Sequence, residues 1–224
     1  VAGVMRKSWA VEQCLEYFGL TREDAHFIAS RAGQQHLAAL HMSDPAAFYE
    51  HPLQILRQEV WHQISYSTFF EQYGFWHAVS STGVILDFGC GTAETARLPW
   101  IMHGHGYIGV DASQAVRDYT RHKYRGKEFI IFESLDRVTR HAVQFDGLVC
   151  TDCFEHVVDP IALTETLWEY LRPGGHALFR FSDAFPHPGH LQESIVQIPE
   201  WYRWICEHSE VIEIGTFLWT QKHS

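Results

Sequence analysis

The sequence predicts an α/β protein built on a parallel sheet, and three observations carry that prediction. Helical periodicity runs through residues 1–80. From Ser81 the rhythm changes to short apolar runs alternating with helical stretches, the pattern of βαβ units. The Gly, Asp, Glu and His residues of the second half follow the ends of the predicted strands, which is where a parallel sheet binds its ligands.

In the first half, Val11–Phe18 carries apolar residues at helical spacing, and Thr21 with Asp24 reads as an N-cap and first turn. His51–Val79 is one long amphipathic pattern with Pro52 near its start, where a missing N–H is tolerated. Its aromatic residues are Trp61, Tyr66, Phe69, Phe70, Tyr73, Phe75 and Trp76. The turn Ser81-Thr82-Gly83 then opens the strand Val84-Ile85-Leu86, and a Gly-rich bend leads into a helix over 93–102. Tyr107–Val110, Phe129–Phe132, Asp146–Cys150 and His176–Phe181 read as four further strands. Ala112–Tyr124 and Pro160–Leu171 are the helices between them.

Composition narrows the function classes. The 224 residues are 46% apolar and 20% charged, which is globular, and the length suits one domain, or one domain with a cap. Seventeen Lys and Arg against 27 Asp and Glu leave a net charge of −10, so no broad basic field for a phosphate backbone exists and no nucleic-acid partner is expected. No run of 18 apolar residues occurs, so no membrane span is expected. Five cysteines, an odd number, read as reduced thiols of a cytoplasmic protein. Sixteen His make the surface charge responsive to mild acid. The chain begins with Val1, which reads as processed or as part of a longer polypeptide, and the oligomeric state is not legible.

Four blocks carry chemistry. VILDFGCGTAETA (84–96) puts Asp87 at a strand end, followed by Gly89 and Gly91 before a helix; glycine there lets backbone approach a ligand. YIGVDAS (107–113) ends the next strand in Asp111, 20 residues after Gly91, where a carboxylate can hold both hydroxyls of a ribose. FDGLVCTDCFEHVVDP (145–160) and LRPGGHALFRFS (171–182) complete the series. A dehydrogenase would need a third Gly where this chain has Glu94, a carboxylate that would repel pyrophosphate.

In this order and spacing the blocks resemble the class I S-adenosylmethionine-dependent methyltransferases, in their small-molecule branch, over residues 83–182. The resemblance implies a three-layer Rossmann-like fold with a mostly parallel seven-stranded sheet, a helical N-terminal cap over 1–80 and a core over 81–224. Val211–Ile214 and Thr216–Thr220 must then supply the last two strands with almost no loop, or one is missing. It implies S-adenosyl-L-methionine as cofactor and S-adenosyl-L-homocysteine as product. Asp87 would reach the methionine amino group, and Gly89, Cys90 and Gly91 would line the methionine and ribose end. Asp111 would hold the ribose, with Ala112, Ser134 and Leu135 beside the adenine and the backbone of Cys150 and Thr151 facing the ammonium. Two departures are Ala93 in place of a third Gly and Ser134 in place of a common Asp.

The acceptor side is open. Glu155 and His156 follow the fourth strand, either as pocket wall or with His156 as a base. His187 and His190 lie in the loop after the fifth strand, as acid–base groups, as metal ligands or as exposed loop residues; no resident metal is assigned. His62 and Tyr66 are the candidates from the aromatic helix, and Trp201, Tyr202 and Trp204 are placed to close the pocket from the other side. Cys150-x-x-Cys153 reads as packing. The expected activity is methyl transfer to a small-molecule acceptor. The competing readings are a non-catalytic cofactor-binding module, a methyltransferase acting on a protein side chain, and a metal-assisted enzyme using His187 and His190.

Overall fold

A computed structural model describes residues 8–70, 72–79, 83–98, 101, 106–141, 144–181 and 189–224, with the side chains of 62–70 and 73 excepted. The helical first half holds Trp9–Phe18, Arg22–Ala29, Arg31–Ser43, Pro45–Glu50, Pro52–Phe70 and Tyr73–Ala78. Thr21 and Asp24 form a reciprocal capping box, as the sequence suggested. The long pattern beginning at Pro52 is divided: one helix ends at Phe70 and another starts at Tyr73.

Seven strands follow: β1 (Val84–Phe88), β2 (Gly106–Val110), β3 (Ile130–Glu133), β4 (Phe145–Thr151), β5 (Leu171–Arg180), β6 (Ser209–Ile214) and β7 (Leu218–Lys222). They form one sheet in the order β3-β2-β1-β4-β5-β7-β6. β1 to β5 pair in parallel, and β7 lies antiparallel between β5 and β6. Both late strands are therefore present. Strand order reverses between β1 and β4, so a crevice opens beyond their carboxyl ends.

Alternation within the strands builds two cores. Ile85, Tyr107, Val149 and Leu178 meet Phe75, Trp76 and Phe132 on one face. Leu86, Ile108, Leu148 and Phe179 meet Leu167, Trp201 and Ile205 on the other. A third cluster joins Val11, Cys14, Leu15, Ile55 and Leu56 of the N-terminal helices to Val116 and Tyr119 of the helix Gln114–Lys123.

Three expectations are corrected. Of the helix read over 93–102, the described residues show a 3-10 turn at Glu94–Arg97, capped by Ala93 in the left-handed conformation at φ 56°, and a helical residue at Ile101. β5 begins at Leu171 instead of His176: backbone pairing extends back through the Pro-Gly-Gly turn, with a register irregularity between Phe145 and Gly147. Trp201 does not close a pocket; it is fully buried in the core, its indole N–H donating to Thr164 Oγ1 at 2.7 Å.

Candidate functional site

The crevice is shaped first by the turn after β1. Gly89 and Gly91 both have positive φ, +70° and +50°. A Cβ on Gly89 would lie 2.5 Å from Cys153 Sγ, so this glycine admits the turn after β4. A Cβ on Gly91 would lie 2.9 Å from Gln58 Oε1. The backbone N–H groups of Gly89 and Cys90 both donate to Val110 O, at 2.8 and 3.0 Å, which ties the turn across the end of β2.

Two carboxylates anchor it. Asp87 is buried and accepts hydrogen bonds from Tyr107 Oη at 2.5 Å and from Thr95 Oγ1. Burial pushes its pKa up to about 6 against the pull of those bonds. Asp111 follows β2 and accepts from the Gly91 N–H at 3.0 Å and the Ser113 N–H at 2.9 Å. Burial raises its pKa, and those backbone donors oppose the rise.

Behind the turn lies a buried ionic network. Lys123 Nζ donates to Glu59 Oε1 at 2.7 Å, Thr92 O at 2.8 Å and Glu94 Oε1 at 3.1 Å. Glu94 is paired again with Arg97 at 2.6 Å, and Tyr119 Oη donates to Glu59 at 2.7 Å. The network joins the helix Pro52–Phe70 to the helix Gln114–Lys123 and to the turn. Glu94 is thus neutralised twice, although it lines the crevice.

The resulting cavity measures about 310 Å³. Asp87, Gly89, Cys90, Gly91 and Thr95 form one wall, Thr151, Asp152 and Arg180 a second, and Gln54, Arg57, Gln58 and Trp61 a third. Of the third wall, only Trp61 stands among the helix aromatics noted in the sequence. Its signal was present: positions 54, 57, 58 and 61 follow i, i+3, i+4, i+7 and define one face of the helix. Gln58 Oε1 is buried without a hydrogen-bond partner among the described residues. Asp152 holds a positive φ of 51° and pairs with Arg180, its Oδ1 accepting from Nε at 3.0 Å.

The structure brings Asp87, Gly89, Cys90, Gly91 and Thr151 onto the cavity, with Asp111 bracing the turn. Ala112, Ser134 and Leu135 stand outside that lining; Ala112 is exposed and Ser134 precedes the helix Leu135–Arg140 without capping it through its side chain. The Cys150 side chain belongs to the core. Glu155 is buried and His156 half-buried in a 3-10 turn, Phe154–His156, and Tyr49 Oη lies 3.4 Å from His156 Nδ1. His190 packs against His156 with ring centroids 5.1 Å apart. His187 lies outside the described residues, as do the side chains of His62 and Tyr66.

The donor set fits S-adenosylmethionine. The cavity offers a buried carboxylate and the amide oxygen of Gln58, unpartnered among the described residues, toward a ligand rich in N–H and O–H donors. The comparisons agree. The family model for a methyltransferase domain matches residues 75–218. A ubiquinone biosynthesis O-methyltransferase of Coxiella burnetii is 28% identical over 98 residues, and one of Thiobacillus denitrificans is 30% identical over 101. Each match covers 42% of this chain and 42% of the relative, so the chain aligns with less than half the length of these curated relatives. Among solved structures, a Synechocystis magnesium protoporphyrin IX methyltransferase with S-adenosylhomocysteine bound superposes with a TM-score of 0.54 at 14% identity, covering 73% of this chain and 84% of that one. The chain belongs to the class I S-adenosylmethionine-dependent methyltransferases.

Proposed function

We propose that this protein transfers a methyl group from S-adenosylmethionine to a small-molecule acceptor held between a helical cap, residues 1–80, and the core, residues 81–224. The observation that carries the reading is the shared cavity, in which the strand-end residues Asp87, Gly89, Cys90 and Gly91 face the helix residues Gln54, Arg57, Gln58 and Trp61. The curated relatives are named as ubiquinone biosynthesis O-methyltransferases, which supports a small-molecule acceptor.

In this reading Asp111 holds the ribose hydroxyls and Asp87 faces the methionine ammonium. Gly89, Cys90 and Gly91 line that end of the cofactor with the backbone of Cys150 and Thr151. Ala112, Ser134 and Leu135 flank the adenine. The cofactor supplies a methyl group already activated on a sulfonium. The chain's task is to align an acceptor with the C–S bond and to exclude water. His156, His187 and His190 are the acid–base candidates, and Glu155, His62 and Tyr66 the acceptor contacts. A cytoplasmic location accords with the cysteine usage.

Calorimetric titration with S-adenosylmethionine and S-adenosylhomocysteine tests the cofactor half; micromolar one-to-one binding is expected. A panel of phenols, amines, carboxylates and peptides, read by S-adenosylhomocysteine release, tests the acceptor half. Turnover on peptides alone would move the assignment to protein side chains, and cofactor binding with no turnover on any acceptor would favour a non-catalytic module.

A further inference from the structure

A second cavity, of about 370 Å³ against about 310 Å³ for the crevice, lies on the far side of the Lys123 network. Trp9, Arg97, Lys123, Tyr124, Arg125 and Lys127 line it, and none of these lines the crevice. The partition between the two is ionic. Glu94 faces the crevice, while Arg97 and Lys123, which both pair with Glu94, face the second cavity.

The lining is aromatic and cationic, with no acid in it. Trp9 opens the helix Trp9–Phe18 and is 48% exposed. The ring of Tyr124 meets it edge-on with centroids 6.1 Å apart, and Tyr124 is itself fixed by its hydroxyl, which donates to Ala93 O at 2.7 Å. A large indole is thus held in place with half of its surface open. Arg97 and Lys123 are committed to carboxylates, but Arg125 and Lys127 are not. Among the described residues neither has a carboxylate within ion-pair distance, whereas Arg22, Arg121, Arg172 and Arg180 each do. Arg125 donates to Gln13 Oε1 at 3.4 Å, to His122 Nε2 at 2.8 Å and to His122 O at 3.3 Å, none of them charged acceptors. Lys127 Nζ stands 5.9 Å from the centre of the Phe129 ring. In a chain of net charge −10, two exposed cations without counter-charges beside an open indole are a local reversal of sign.

A small ligand with a flat ring and an anionic group answers both features. Stacking on an exposed indole tolerates many rings, and guanidinium and ammonium groups are the common partners of phosphate. The acidic chain around the cavity repels a polyanion that runs beyond it, which favours a single nucleotide over a nucleic-acid strand. The volume falls within the range of small-ligand pockets. We propose that this second cavity binds a nucleoside monophosphate, with its base against Trp9 and its phosphate between Arg125 and Lys127. The site is separate from the cofactor crevice and stands independently of the methyltransferase reading.

The test is calorimetry of guanosine 5′-monophosphate into the full chain with S-adenosylhomocysteine in excess, so that the crevice is not open to the probe. Guanosine and inorganic phosphate are titrated separately. The variants are Trp9→Ala, Arg125→Gln and Lys127→Gln, with Arg172→Gln as a cation elsewhere on the surface, and circular dichroism reports that each is folded. The wild type should bind one equivalent of the nucleotide, with guanosine and phosphate each at least 10-fold weaker. Folded Trp9→Ala, Arg125→Gln and Lys127→Gln should each bind it roughly 10-fold more weakly, and Arg172→Gln should match the wild type. No saturable binding overturns the proposal. So does phosphate binding as tightly as the nucleotide, which would leave a bare anion patch, or equal affinity in the three folded site variants, which would place the nucleotide elsewhere. A short oligonucleotide binding more tightly than the mononucleotide would overturn it in favour of a nucleic-acid surface. If S-adenosylhomocysteine itself does not bind, the methyltransferase reading fails, and the three site variants still decide this proposal.

Discussion

Replacing Lys123 by Met removes a cation shared by Glu59 and Glu94 while keeping most of the side-chain volume. Lys123 and Glu59 are both fully buried in their side chains, and Glu94 is nearly so. Glu94 retains Arg97, so the carboxylate left without a charged partner among the described residues is Glu59, with only the Tyr119 hydroxyl donating to it. Breaking a buried pair from one side costs about 3–5 kcal/mol. At about 2–4 °C per kcal/mol for a chain of this size, Tm should fall by roughly 6–20 °C. The loss should also depend on pH. Burial already holds the Glu59 carboxyl above its ordinary value of 4.5, with Lys123 as the main opposing influence. Without Lys123 it rises further. A carboxyl whose pKa is raised in the folded state subtracts stability as pH climbs through the folded value, and the cost vanishes below the unfolded value. The deficit should therefore be larger at pH 7.5 than at pH 5.5 in urea unfolding. Adding Glu59→Gln to Lys123→Met should restore part of it. A loss below about 1 kcal/mol, or one identical at both pH values, would refute the account of a desolvated, uncompensated charge.

Three further outcomes are expected. On the proposed reading of Asp111 as the ribose acceptor, Asp111→Ala should weaken S-adenosylmethionine binding by roughly 10- to 150-fold in calorimetry, the loss of one charge-assisted bond of about 1.5–3 kcal/mol, and it also removes the brace on the Gly91 N–H; unchanged affinity would sink the site assignment. Gly89→Ala should cost about 2–5 kcal/mol in denaturant, combining the left-handed backbone with a contact of 2.5 Å to Cys153, whereas Gly19→Ala at φ +64° has nothing within 4 Å and should cost only about 1–2 kcal/mol. Asp87, with a pKa of about 6, is protonated in the ligand-free protein below that pH. A cationic ammonium favours its charged form, so cofactor affinity should rise from pH 5 to pH 7 with release of a proton, and Asp87→Asn should flatten the profile.

Much of the fold was legible because the parallel sheet writes itself as short apolar runs. Ile85 and Leu86 serve opposite cores, as do Leu148 with Val149 and Leu178 with Phe179, so the strands are continuous in hydrophobicity and easily placed. The turn residues Asp87, Gly89, Gly91 and Asp111 were legible because each is constrained by local chain geometry that only a few residue types satisfy. The third cavity wall was not legible because the aromatic pattern that runs from the helix Pro52–Phe70 into Phe75 and Trp76, which are simply core, dominates the segment's hydrophobic signal. The polar face Gln54, Arg57, Gln58 resembles an ordinary solvated face until the core is placed opposite it. The 3-10 turn at Glu94 was read as a longer helix because nothing in Ala93 announces a left-handed backbone. The meeting of His190 with Glu155 and His156 joins segments more than thirty residues apart, a distance that local pattern cannot bridge.

The position of β7 bears on how the chain is made. Its residues, Leu218–Lys222, are synthesised after those of β6, yet they sit between β6 and β5. Until they arrive, β6 has no neighbour in the sheet and β5 presents an open edge bearing Ala177, Leu178 and Phe179, all fully buried in the finished protein. A chain in which β7 has not yet docked therefore exposes a sticky, unpaired ribbon. Rapid docking of β7, or shielding of that ribbon until it docks, would favour soluble protein.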